Sequence, residues 1–243
     1  MSMGKQKMEV VTLQLPTHQR YHENLDALIT LVEYHKDKDL IVAPEVCLTG
    51  FDYAHMDTVA KFSILALKSL KKIIDNQIMV LTLVLKEKDQ FVNQAVVIHK
   101  HKVIYRQNKV KLFTLGEEQK YFKAGPSRAI KPFEIDGVKY ALLICFELRF
   151  KELWKRVEGV DVIIIPARWG LPRKAHLEVL SRALAVMNQC YVIVSNSSDG
   201  DMAKSSSIIS PNGEVIQEDT SLSVTGMIDF QEIKKMRRYI NMQ

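Results

Sequence analysis

Three reactive side chains of this 243-residue chain share one kind of location. Glu45 follows the apolar run 40–43 and Pro44, Lys109 follows the run 103–105, and Cys145 closes the run 140–144. A carboxylate, an ammonium and a thiol suffice for acyl transfer. A free thiol has a pKa near ~8.5 and is only a few per cent thiolate at neutral pH. A carboxylate beside it can take its proton, and an ammonium favours the thiolate. The same ammonium can stabilise an oxyanion. A lone cysteine at a strand end is more often plain core, so the elements that would position these groups have to be considered.

Short β-branched runs alternate with helical spacing. Strands are expected at 10–15, 40–43, 78–85, 95–98 and 103–105, then at 140–145, 162–165, 191–194, 207–209 and 224–228. Leu25, Leu28, Ile29 and Val32 repeat at helical spacing. So do Val59, Phe62, Ala66, Leu70 and Ile73, with Asp57 or Thr58 as the cap. Leu177, Leu180, Leu184 and Met187 line one face of a third long helix, and a short helix lies between the strands at 140–145 and 162–165. This is α/β architecture with helices packed on sheet faces. In such sheets, ligand sites gather beyond the carboxyl ends of strands, where all three reactive groups fall. No internal repeat or linker is visible. The serine-rich stretches 195–198 and 205–207 read as short loops, so residues 1–243 are expected to form a single domain.

Hydrophobic residues are 47% and charged residues 26%, which excludes a disordered chain unable to bury a core. Gly is only 10 and Pro only 7, which excludes collagen-like and low-complexity readings. The net charge of +6 is spread over Lys68, Lys71 and Lys72, the segment 100–111, and Lys234, Lys235, Arg237 and Arg238. These read as solvated surface, and no nucleic-acid partner is expected. Cys47, Cys145 and Cys190 are an odd, sparse set without a disulfide framework. The start, residues 1–7, is polar and basic, unlike a secretory signal. The apolar runs fall far short of the ~20 residues that span a membrane. A cytoplasmic protein is expected.

Several signatures are missing. No G-x-G-x-x-G or Walker A loop marks a phosphate cradle, and no G-x-S-x-G elbow marks a serine hydrolase. Ser69-Leu-Lys-Lys72 fits S-x-x-K but lies inside an amphipathic helix. His99 and His101 have no ligands to complete a tetrahedral set and read as surface histidines. No metal site is expected.

In this context the chain resembles the nitrilase, or carbon–nitrogen hydrolase, superfamily from about residue 10 to 228. The resemblance rests on three signatures in order. They are Pro44-Glu45-x-x-Leu48-Thr49-Gly50; Tyr105-Arg106-x-x-Lys109-x-Lys111-Leu112-Phe113 with Glu118 and Tyr121-Phe122-x-x-Gly125; and Ile144-Cys145-Phe146-Glu147-Leu148-Arg149-Phe150. Softer matches are Gln14, Asn93-x-Ala95, Arg182-Ala183 and Pro211-Asn-Gly213. The resemblance implies a four-layer α-β-β-α sandwich and a homodimer or higher homo-oligomer. It makes Cys145 the nucleophile, Glu45 the general base and Lys109 an oxyanion donor, with the backbone N–H of Phe146 as the second donor. Glu118 looks like the family's second glutamate, with Glu117 its rival. The implied reaction is hydrolysis of a small linear amide through a thioester, without a cofactor. The alternatives are an N-carbamoyl amidohydrolase or a catalytically silent binding module.

Trp169 could wall the acyl pocket. Arg168 and Arg173 could hold a substrate carboxylate in a guanidinium fork. Arg149 is expected to form a structural ion pair near the nucleophile. The chain departs from the family pattern at Met187, where a glutamate is common, and at Lys111, Lys151 and residues 203–206. These positions bear on the pocket walls and the assembly.

Overall fold

Alternation along the strands decides the layering. In the computed structural model, which describes residues 6–241, Val10, Leu40, Val42, Ile78 and Val80 face a second sheet. Their neighbours Val11, Ile41, Met79 and Leu81 face helices. The first five residues of the basic start lie outside the described residues.

The first sheet contains β1 (Lys7–Leu13), β2 (Leu40–Val42), β3 (Ile78–Glu87), β4 (Gln90–His99), β5 (Lys102–Asn108) and β12 (Ser223–Asp229), in the order β12-β1-β2-β3-β4-β5. The second contains β6 (Phe133–Ile135), β7 (Val138–Leu142), β8 (Val162–Ala167), β9 (Tyr191–Asn196), β10 (Ser207–Ile209) and β11 (Val215–Gln217), in the order β11-β10-β9-β8-β7-β6. The strands β1, β2 and β3 run parallel, and so do β7, β8 and β9. Each parallel trio is then extended by antiparallel strands. Both halves therefore follow one plan, although the sequence carries no repeat.

Helices α1 (Tyr21–Tyr34) and α2 (Met56–Ile73) make the crossovers of the first sheet. α4 (Lys151–Arg156) and α5 (Lys174–Asn188) make those of the second. Leu25, Leu28 and Val32 of α1 join Phe62, Ala66 and Leu70 of α2 in one buried cluster against the outer face of the first sheet. Leu177 and Leu184 of α5 do the same for the second sheet. The result is the expected four-layer α-β-β-α sandwich. Strands such as Val162–Ala167 are buried along their whole length because helices cover one face and a sheet the other. Among the described residues no helix is long and apolar enough to cross a membrane.

Several local expectations need correction. Helix α2 starts at Met56 without a side-chain cap, so neither Asp57 nor Thr58 caps it. Met187 is 55% exposed, off the buried face of α5. His99 is buried rather than superficial, and its Nδ1 lies 3.1 Å from the Gln77 carbonyl oxygen. The serine-rich stretches are loops only in part, since Ser195 belongs to β9 and Ser207 to β10, and most of their serines are buried. Ser195 Oγ donates to the Leu13 carbonyl at 2.7 Å, and Ser206 Oγ lies 3.3 Å from the same oxygen. Thr12 Oγ1 answers by donating to the Val194 carbonyl at 2.6 Å. These buried hydroxyls tie the two sheets together. Two further helices, α3 (Glu118–Tyr121) and α6 (Phe230–Tyr239), lay outside the sequence expectation.

Candidate active site

The strand β2 ends at Val42, and Pro44 stops the ladder by lacking a donor. Glu45 follows, fully buried, with its N–H on the Ala167 carbonyl at the end of β8 at 3.2 Å. The next residue, Val46, adopts φ 44°, which is rare for a β-branched side chain. Thr82 Oγ1 accepts its N–H at 2.7 Å, and this fixes the turn. The Glu45 side chain is therefore held from both sides.

Lys109 lies just beyond β5, and its backbone N–H donates to the Asn93 carbonyl at 2.8 Å. Its fully buried Nζ donates to Glu45 Oε1 at 2.8 Å and to Glu118 Oε1 at 2.7 Å. Burial alone would discharge this amine. Glu45 and Glu118 outweigh it and hold the ammonium above the usual lysine range. Glu118 opens α3, and its Oε2 accepts the Phe113 N–H at 3.1 Å. Glu117 points outward to an ion pair with Lys120, so Glu118 is the carboxylate that meets the lysine.

Glu45 Oε1 also accepts Asn93 Nδ2 at 2.7 Å. One carboxylate oxygen is thus saturated by two donors. The other, Oε2, is buried without a partner. A carboxylate in this state has one oxygen anchored and one ready to take a proton.

Cys145 follows β7 at a sharp turn with φ 47° and opens the short helical turn Cys145–Arg149. The N–H groups of such a first turn have no intrahelical acceptor, and that of Phe146 is among them. Burial pushes the Cys145 thiol well up. The Glu45 and Glu118 charges add to this, while Lys109 and the backbone N–H of Arg168 oppose it. Burial and the two carboxylates thus work against the thiolate that the ammonium favours.

A cleft opens onto Cys145. Phe113, Phe146, Trp169 and Gly170 line it, with Arg149, Arg168 and Arg173. The Phe113 and Phe146 rings meet edge to face at 5.1 Å. Trp169 is buried as expected, with its Nε1 donating to the Arg173 carbonyl at 2.8 Å.

The arginines divide in a way the sequence did not show. Arg168 turns its guanidinium to Asp199 at 2.5 Å and donates to Thr17 Oγ1 at 2.7 Å. Its charge is thus neutralised inside the protein, against the expectation that it holds a ligand. Arg149 forms no ion pair among the described residues. It stacks 4.7 Å over Trp169 and donates to His176 Nδ1 at 3.0 Å. Arg173 stacks 5.3 Å from the Phe113 ring centre and also lacks a carboxylate partner among the described residues. Burial and neighbouring Arg173 both push Arg149 downward, as expected of two cations sharing a mouth with no anion between them.

Sequence reasoning named Asn93 only as a soft match and gave Glu147 and Thr82 no part. The one available signal was a polar residue interrupting an apolar strand, as Asn93 does in β4. Among the described residues no group of three or more His, Cys, Asp or Glu could hold a metal ion.

The geometry agrees with the comparisons to known proteins. The sequence pattern of the carbon-nitrogen hydrolase family matches residues 10–238. The 2-oxoglutaramate amidase of Bacillus subtilis (strain 168) is 34% identical over 219 residues, which is 84% of this chain and 83% of that one. The omega-amidase YafV of Escherichia coli (strain K12) is 27% identical over 210 residues, covering 80% and 81%. The structure of Saccharomyces cerevisiae Nit3, a member of branch 10 of the nitrilase superfamily, superposes with a TM-score of 0.85 at 19% identity. It covers all of this chain and 97% of that one. The chain belongs to the carbon–nitrogen hydrolase family.

Proposed function

We propose that the protein is a cysteine-dependent amidase that hydrolyses a small linear amide bearing a distal carboxylate, releasing ammonia. The observation that carries this reading is the carboxylate of Glu45, with one oxygen anchored by Lys109 and Asn93 and the other unpartnered. Cys145 Sγ attacks the amide carbonyl as its proton passes to Glu45. Lys109 Nζ and the Phe146 N–H receive the developing oxyanion. Glu45 then hands the proton to the departing nitrogen, so ammonia leaves and a thioester remains. Water attacks the thioester, Glu45 takes its proton, and the acid product leaves as the thiol is restored. Glu118 holds the ammonium in place throughout.

The magnitudes fit this division of labour. A positioned acid–base group is worth typically ~10²–10⁴-fold, and one oxyanion donor about 10²–10³-fold. The substrate class is supported by the uncompensated Arg149 and Arg173 at the cleft mouth, where a carboxylate would separate two like charges. The relatives named 2-oxoglutaramate amidase and omega-amidase agree with it.

As a single domain in the reducing cytoplasm, where its three buried cysteines stay free, the enzyme needs no cofactor for this cycle. It pairs with a second copy. Val179, Arg182 and Val215 border one groove on α5 and β11, next to Val186.

The test is an ammonia-release screen over small amides, with and without a distal carboxylate. The carboxylate-bearing ω-amides should be preferred, and Cys145→Ala should abolish release. Parent-like turnover by Cys145→Ala would overturn the proposal.

A further inference from the structure

Glu147 has a fully buried carboxyl group. Both of its oxygens are nevertheless in use. Oε1 accepts the Val110 N–H at 2.6 Å, and Oε2 accepts the Ile144 N–H at 2.6 Å. Val110 immediately follows Lys109, and Ile144 immediately precedes Cys145. The two segments leave different sheets, β5 of the first and β7 of the second. One side chain therefore ties the backbone of the ammonium to the backbone of the thiol. The neighbouring cross-sheet link is Gln107 Nε2 on the Leu142 carbonyl at 3.2 Å, one step further from the cleft.

We propose that Glu147 is a positioning residue, whose ionised carboxylate sets the spacing between the Lys109 and Cys145 segments. The proposal rests on the amidase reading for its turnover readout. The chemistry of the clamp is specific. A carboxylate offers acceptors on both oxygens and can serve two N–H donors at once. A protonated carboxyl presents a hydroxyl to one of those donors, and that bond fails. A displacement of about 1 Å in the reacting groups can cost on the order of 10²-fold in rate. Ionisation of Glu147 thus becomes a condition for full activity.

Burial pushes this carboxyl up to about 7, against the pull of its two backbone donors and of Lys109. The charges facing it are Lys109, which favours ionisation, and Glu45, which opposes it. The Tyr105 phenol of β5 also lies within its field. The clamp accordingly loosens as the pH falls through neutrality.

The test compares the parent with Glu147→Gln and Glu147→Asp in the full chain. The readouts are melting temperature, kcat and KM for ammonia release between pH 5.5 and 9, and the rate of Cys145 alkylation by iodoacetamide. The folded Gln variant should lose about 10- to 100-fold in kcat with KM within about twofold. It should also lose the acid limb that the parent shows near neutrality. The Asp variant reaches the local Ile144 N–H but not Val110, and should fall between the two. A Gln variant that melts earlier yet keeps the parent kcat and pH profile would overturn the proposal.

If both variants fail to fold, amide hydrogen exchange on the parent decides. Protection at Val110 and Ile144 should fall together, beyond the intrinsic pH effect, as the pH drops from 8 to 6. Unchanged or unlinked protection would overturn the clamp. A parent that releases no ammonia from any amide sinks the amidase reading alone, because the alkylation and exchange measurements still judge Glu147.

Discussion

The chemistry of single residues here is governed by an excess of buried acid. Glu45 and Glu118 share one ammonium. The Cys145 thiol is pushed up: burial contributes most and the Glu45 charge comes next. Glu45→Gln should therefore lower the thiol pKa, because a repulsive charge is removed. It should also cut turnover by ~10²–10⁴-fold, because the base is removed. Ultraviolet absorbance of the thiolate against pH checks the first effect, and steady-state kinetics the second. A second prediction concerns stability. The folded-state pKa of Glu147 is raised, to about 7, so between the unfolded value of 4.5 and about 7 the folded state binds more protons. Stability from this group is thus greatest at low pH and is lost as the pH rises through that window. Urea unfolding of the parent at pH 5, 6, 7 and 8 should show this decline, and Glu147→Gln should flatten it. Glu45, Lys109 and Cys145 were legible in the sequence because each stands in one of three family-like signatures in order; their position at strand ends alone would have been weak evidence. The role of Arg168 was not, since its partner Asp199 lies 31 residues away and only the fold brings them together.

At the scale of elements, the strand ends do the positioning, and small contacts hold them there. Gly125 shows how tightly. A Cβ at this position would sit 2.8 Å from the Asn108 carbonyl oxygen and 3.0 Å from its Cβ, immediately before Lys109. Gly125→Ala should push this segment aside, costing about 1–3 kcal/mol in unfolding free energy and lowering kcat more than it raises KM. Chemical denaturation and steady-state kinetics read the two effects. The serine ties between sheets are the other example. Ser195→Ala would remove the shorter cross-sheet donor from the Leu13 carbonyl and leave only Ser206 Oγ at 3.3 Å, at about 1–3 kcal/mol, with less effect on turnover. Continuous apolar runs made the parallel strands legible in advance. Of the serine stretches, residues 197–198 and 205–206 do lie in loops, but their burial was not legible, because a hydroxyl buried between sheets looks, in sequence, like one exposed in a turn. The strands β6 and β11 escaped notice because, unlike the equally short and fully buried β2 and β10, they are largely exposed and carry no continuous apolar run.

At the scale of the whole molecule, the layered order was legible, but the shared plan of its two halves was not. That plan lies in connectivity and strand direction, and no repeat in the side chains accompanies it. Half the molecule supplies Glu45 and Lys109 and the other half Cys145, so the site exists only where the halves meet. The proposed pairing with a second copy is also a whole-molecule property. Val179 is 65% exposed, Val186 41% and Ile216 48%, an apolar strip that water would otherwise cover. Light scattering should give at least twice the chain mass, and Val179→Glu with Val186→Glu should give the mass of one chain. The pairing of β1 with β12 has a further consequence. These partners stand more than 200 residues apart, matched from Lys7 opposite Asp229 to Leu13 opposite Ser223. On the ribosome, β1 emerges more than 200 residues before its outer neighbour. Until then the nascent chain carries an open ladder edge, a template for aggregation that chaperones must shield.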